Sequence, residues 1–203
     1  MGGFTTHEGE AVLLALDNID TDQLIPARFM STPRSQGYGS YLLHDLRHDA
    51  DGAPRTDFPL NAQPDASVLV AGRNFGSGSS REAAVYALVD AGFRAVIAPS
   101  FGDIFASNAV NNGLLPARVT AEDGETIAAL LAEGPAKIGI NLETRQLAIG
   151  NERIAFALPD NWRTKLINGW DDIDLTLQHA DRIRRFRDER HSAAPWVFPG
   201  SPN

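Results

Sequence analysis

The chain has 203 residues, 43% of them hydrophobic, and 26 acidic against 18 basic side chains give it a net charge of −8. That length suits one domain with a real core, and the acidic balance argues against a nucleic-acid binder, whose footprint is basic. There is no cysteine, which excludes disulfides, a thiol nucleophile and a cysteine-held zinc or iron–sulfur site within this chain.

The N-terminal MGGFTTHEGE lacks the basic-then-apolar order of a signal peptide. No later run approaches the roughly 18 apolar residues of a membrane span, so the expected compartment is the cytoplasm. Residues 11–16, AVLLAL, read as a buried strand, followed by the polar turn DNIDTD. Residues 31–66 are rich in Pro, Gly, Ser and Asp, with one short apolar patch at 41–46. So long and unpatterned a stretch reads as a functional or disordered loop inserted in the domain. The pattern then sharpens. Strands are predicted at 67–71, 95–98 and 114–119, and helices at 80–91, 101–111 and 121–132, the last with the acidic first turn that a helix dipole favours. Strand–helix alternation of this kind predicts a parallel sheet with right-handed crossovers. Between 137 and 158 the short runs KIGINL, QLAIG and RIAFAL predict antiparallel strands. Helices are predicted at about 161–167 and 172–190, the second ending in the charged DRIRRFRDER, which reads as a solvated face. No internal repeat is present, and a single domain over 1–203 is expected.

Chemistry concentrates in FGSGSSR, residues 75–81, between a predicted strand and a predicted helix. The first N–H groups of a helix lack internal partners, and the dipole adds partial positive charge there. Gly76 and Gly78 let the backbone approach a ligand closely. Ser79 or Ser80 has the side chain of a helix cap, and Arg81 carries a fork of donors that suits a carboxylate or phosphate. Two readings stand: a capped helix after a tight turn with Arg81 paired to an acid, or a small-molecule anion site. Named phosphate motifs do not fit. Arg81 stands where the dinucleotide pattern needs its third glycine, the Gly-Lys-Ser/Thr of a phosphate loop is absent, and no register gives the G-x-S-x-G of a hydrolase elbow.

Four ordered blocks carry a resemblance: NIDTDQLIPARF (18–29), GRNFGSGSSREAAVYAL (72–88), FRAVIAPSFGDIFASNAVNNGLLPARV (93–119) and NGWDDIDLTLQH (168–179). Together they resemble the aconitase-type swivel domain, and more closely the small-subunit family of 3-isopropylmalate dehydratase. The resemblance implies an α/β fold, a three-layer β/β/α swivel domain with a parallel central sheet and a second, antiparallel sheet. It also implies a hydro-lyase of leucine biosynthesis, active only with a large subunit as a heterodimer. That enzyme interconverts 2-isopropylmalate and 3-isopropylmalate by dehydration and rehydration through 2-isopropylmaleate. The 4Fe–4S cluster, with one open iron site, is expected on the large subunit, and neither metal nor cofactor in this chain. The isolated chain is accordingly expected to bind no iron and to be inactive.

By the same resemblance Ser79 is the catalytic base. Acidity alone would not select a serine, whose pKa lies far above neutrality; the helix N-terminus and Arg81 supply the local field. Arg81 is implied as a carboxylate clamp, Ser80 as a structural group or N–H donor, and Gly78 as part of the substrate loop. A second substrate arginine is expected from the segment after the Thr-Asp motif. Arg34, twelve residues past Asp22, is the candidate and Arg28 its rival; either could instead be a solvated surface arginine. Asp20, Thr21 and Asp22 read mainly as turn formers, since acids facing a dianion would repel it. The loop 31–66, with Arg34 on it, is expected to be mobile in the isolated chain and to close against partner and substrate.

The chain departs from the family pattern at Ser77, usually cysteine, at Ala83, where a histidine is usual, and at Asp174, usually glycine. The missing histidine bears on which acid is the substrate, so a hydratase for 2-methylmalate/citraconate or homoaconitate is the close alternative. A stand-alone carboxylate-binding module without catalysis is the other. His7, His44, His48, His179 and His191 show no metal spacing on one helix face, and His44 and His48, four apart, sit in a stretch of poor pattern that gives a metal reading little weight.

Overall fold

Strand β1 (Thr6–Leu14) changes partners along its length. Residues 6–11 pair antiparallel with β5 (Ala136–Asn141), and residues 11–14 pair parallel with β2 (Val68–Ala71). This strand therefore joins two differently built halves. The computed structural model describes residues 2–198. On one side of β1 the parallel strands β2, β3 (Ala95–Ala98) and β4 (Leu115–Arg118) follow in order. On the other lie β5, β6 (Gln146–Ile149) and β7 (Glu152–Ala155), all antiparallel. The parallel and antiparallel sets implied by the resemblance are both present, hydrogen-bonded through β1 into one seven-stranded sheet of order β4-β3-β2-β1-β5-β6-β7.

Every residue of β2 and β3 is buried, as expected for parallel strands covered on both faces. Alternate side chains feed two separate cores, as the two-residue period of a strand requires. Val12, Leu14, Leu69, Ala71, Val96 and Ala98 enter the first; Ala11, Val68, Val70, Ala95 and Ile97 enter the second.

The helices are, in chain order, α1 (Thr21–Leu24), α2 (His44–Arg47), α3 (Pro59–Ala62), α4 (Glu82–Asp90), α5 (Asp103–Asn111), α6 (Ala121–Ala132), α7 (Asp160–Asn168), α8 (Asp172–Leu177) and α9 (Ala180–Ala193). Single 3-10 turns lie at Ala27–Phe29, Arg34–Gln36, Gly39–Tyr41 and Pro195–Val197. The first core is closed by α4, which buries Ala84, Val85, Ala87 and Leu88. The second takes Ile127 of α6 and Leu166 of α7. The helix expected over 172–190 is two helices broken at 178–179. No helix among the described residues is long and apolar enough to cross a membrane.

The segment 31–66 is folded onto the first core. Leu42 and Leu43 have no exposed surface, and Tyr38, Phe58 and Leu60 are buried beside them. The Leu43 N–H bonds to the Leu24 carbonyl at 3.0 Å, and the Asn61 amide donates to the carbonyls of Arg47 and Arg55, each at 2.8 Å. The disordered reading of this stretch is therefore corrected. Its apolar residues do not need to make a core of their own, because they complete the one under α4.

Candidate functional site

Each parallel strand delivers its following loop to the same edge of the sheet, the usual place for a ligand in such folds. The loop after β2 is 72–81. Asn74, Gly76 and Gly78 take positive φ there, at 60°, 71° and 93°. Gly76 has no substitute: an added Cβ would sit 2.2 Å from the Phe105 ring. The buried Phe75 pins the turn to the next loop, its N–H bonding the Ser100 carbonyl at 3.0 Å and its carbonyl accepting from Gly102 at 2.9 Å.

From the other side the loop is held by α1. Asp20 caps this short helix, accepting from the Gln23 N–H at 2.7 Å while Gln23 reaches back to the Asp20 N–H at 2.9 Å. Thr21, 2% exposed, bonds the Ser77 carbonyl through its N–H and the Ser79 carbonyl through Oγ1, both at 2.9 Å. Asp22 forms an ion pair with Arg81. The expectation that Asp20, Thr21 and Asp22 are turn formers covers Asp20; the other two brace the site loop, across 58 and 59 residues of sequence.

Ser79 and Ser80 do not cap α4. The N-cap is Arg81, with extended φ −122° and ψ 102° and no side-chain cap bond. A capping hydroxyl must sit on the N-cap residue itself, and with the Ser77 and Ser79 carbonyls tied to Thr21 the chain enters the helix only at Glu82. Arg81 is therefore at the rim of the helix rather than inside it, and it is paired to an acid, as one of the two readings expected.

Thr21, residues 76–79, Arg81 and residues 102–105 enclose a cleft of about 230 Å³. Ser79, Gly78 and Arg81 are thus brought together; Ser80 lies next to the lining. The starts of two helices converge on the cleft, because α5 begins at Asp103 with Gly102 as an N-cap that makes no side-chain bond. The helix itself was expected, over 101–111, but sequence reasoning did not bring its start to the site. The signal was present in SFGD, a turn between a strand and a helix like the one before α4. Ile104, 54% exposed, stands at the cleft wall. Ala83, in place of the family histidine, packs against the first core.

Arg34 is not in the cleft. Its Nη2 lies 3.1 Å from Asp90, and its guanidinium carbon is 3.7 Å from the centre of the Tyr86 ring. Asp90 ends α4 whereas Arg81 begins it, about 13 Å apart at the rise of a helix. Burial, and then a hydrogen bond to Glu82, raise the Tyr86 pKa from its ordinary value. Arg28 is also elsewhere, ion-paired to Asp45, whose carboxyl it lowers to about 2. His44 and His48 stack at 4.2 Å between ring centres. No cluster of three or more His, Asp or Glu among the described residues is arranged to hold a metal ion.

Comparison with known proteins fits this geometry. The Aconitase C-terminal domain family matches residues 1–122, more than half the chain. The 3-isopropylmalate dehydratase small subunit of Shouchella clausii is 45% identical over 190 residues, covering 92% of this chain and 95% of that one. The chain belongs to the 3-isopropylmalate dehydratase small-subunit family. The Bacillus subtilis small subunit is 42% identical, over 92% of this chain and 96% of its own. A crystal structure of 3-isopropylmalate dehydratase from Methanocaldococcus jannaschii superposes with a TM-score of 0.64 at 28% identity, covering 90% of this chain and 99% of that one. The family of C-terminal domains from the 3-isopropylmalate dehydratase small subunit matches residues 172–200, so the α8–α9 segment is a family feature as well.

Proposed function

We propose that this chain is the small subunit of a two-subunit hydro-lyase that interconverts 2-isopropylmalate and 3-isopropylmalate, and that its cleft is one wall of a site shared with the large subunit. The observation that carries the reading is Ser79 beside Arg81 in a cleft onto which two helix starts converge. The cleft is smaller than the roughly 300–1,000 Å³ of complete small-molecule sites, which supports a half-site. Its exposed Ile104 is suited to contact with a covering surface.

Arg81 and the N–H groups at the start of α4 hold a substrate carboxylate and oppose the charge that builds on it as a neighbouring C–H bond breaks. Ser79 Oγ takes the proton from C3 of 2-isopropylmalate while the hydroxyl leaves C2, giving 2-isopropylmaleate. Return of the proton to C2 and of hydroxide to C3 completes the isomerisation. A Lewis acid is needed to carry the hydroxyl, and a 4Fe–4S cluster with an open iron site supplies that chemistry when bound. This chain has no thiolate to hold such a cluster, so its ligands belong to the large subunit. Arg34 is the reserve carboxylate ligand, reaching the substrate only after leaving Asp90.

Reconstitution tests this. The purified chain is mixed anaerobically with a cluster-loaded large subunit and assayed with 2-isopropylmalate, 2-methylmalate and homocitrate. Turnover of 2-isopropylmalate that requires both proteins is expected. A preference for another acid would reassign the substrate, and no turnover of any would leave a carboxylate-binding module.

A further inference from the structure

We infer that Thr21 is a positioning residue, which holds the peptide between Ser79 and Ser80 so that the Ser80 N–H is turned toward a ligand carboxylate. The inference rests on the carboxylate site proposed above. Three observations carry it. Thr21 is almost fully buried, yet both its donors go to the site loop: N–H to the Ser77 carbonyl and Oγ1 to the Ser79 carbonyl, each at 2.9 Å. The two carbonyls flank Gly78, whose φ of 93° suits glycine and whose added Cβ would lie 3.6 Å from Thr21 Oγ1. Thr21 therefore clamps both sides of Gly78, one of the two glycines of positive φ in the loop. Its own footing is firm, since Leu24 and Ile25 in the next turn have no exposed surface.

The consequence follows from peptide geometry. In a planar trans peptide the C=O and N–H point in opposite directions. Drawing the Ser79 carbonyl toward α1 turns the Ser80 N–H away from α1, and among the described residues that N–H has no hydrogen-bond partner. It is an unpaired donor one residue from the proposed base and one from Arg81. Threonine also suits the task, because its branched Cβ limits χ1 and keeps Oγ1 aimed.

The test compares Thr21→Val, which keeps the shape and loses the donor, with Thr21→Ser, which keeps the donor. Both are reconstituted with the large subunit, with Ser79→Ala beside them. Thr21→Val should lower kcat/KM about 10- to 100-fold, with most of the loss in KM, because a ground-state carboxylate contact is weakened. Thr21→Ser should recover most of it. The Ser80 amide resonance of the isolated chain should shift with a dicarboxylate analogue in wild type and in Thr21→Ser, but not in Thr21→Val. If valine does not fold, the smaller Thr21→Ala replaces it. Equal kcat/KM and equal Ser80 shifts in Thr21→Val and wild type, with Ser79→Ala inactive, overturn the positioning role alone. An active Ser79→Ala would instead overturn the catalytic reading on which it rests. A loss of activity not rescued by serine would reduce Thr21 to a packing residue.

Discussion

Arg81 is ion-paired to Asp22 across the wall of the cleft that Ser79 lines. The contact uses Nη1 alone, so Asp22 holds one corner of the guanidinium and leaves the remaining N–H donors for a ligand. Asp22 thereby orients the group that a substrate carboxylate would meet. Lysine has three donors on a compact point charge but no planar fork, so it does not reproduce the bidentate geometry. Arg81→Lys should lower kcat/KM of the reconstituted enzyme about 100-fold, in line with the loss of a charged contact. Steady-state kinetics beside wild type give the ratio; a change under about threefold would remove Arg81 from the carboxylate clamp.

Lys165 is 2% exposed, and its ammonium is satisfied by Asn111 at 2.8 Å and by an ion pair with Asp172. Lys165, and then Asn111, depress the Asp172 pKa from its ordinary 3.8. A carboxyl whose folded pKa lies below its unfolded one adds stability above the unfolded value and loses it as pH falls through the folded one. Asp172→Asn should therefore cost about 1–2 kcal/mol near neutrality, less than a fully buried pair because Asp172 is itself exposed. The difference from wild type should shrink below pH 3.8 as Asp172 protonates. Urea melts near neutrality and again below that value measure both.

Leu42 and Leu43 lie in the stretch with the least pattern in the sequence, yet both are completely buried. Leu42→Ala should cost about 2–5 kcal/mol, the range for a core cavity. The Leu43 amide, bonded to Leu24, should be protected from exchange in the isolated chain. Urea denaturation and hydrogen exchange check these. Rapid exchange at Leu43 would restore the mobile loop that the composition of 31–66 suggests.

Helix α9 buries none of its residues. A helix of this length without a packed face is marginal in water. Its amides should exchange much faster than those of α4, whose Ala84, Val85, Ala87 and Leu88 are all buried. Amide exchange of the isolated chain separates the two; equal protection would mean that α9 gains its stability from contacts the fold does not account for.

Strong local patterns were legible. The run 95–98 is the strand expected, and 121–132 is the helix expected, with Thr120 as its cap. The first half of β1 was not legible, because THEGE is polar and only partly covered where it meets β5. The break at 178–179 carries no glycine or proline to announce it. FGSGSSR was recognisable as the candidate site because glycine, serine and arginine at a helix start have a local physical meaning. Its supports were not, since Thr21 and Asp22 act across 58 and 59 residues. The same blindness affects Arg34, whose partner Asp90 lies 56 residues on, so the spacing from Asp22 could not tell on which side of α4 it would rest.

The most direct test of the account is Ser79→Ala in the reconstituted two-subunit enzyme, with the assembly verified by gel filtration and turnover of 2-isopropylmalate measured at saturation. Removal of the base should lower kcat about 100-fold or more while the subunits still associate. A Ser79→Ala enzyme that assembles and turns over at the wild-type rate would contradict the central claim and put the base elsewhere.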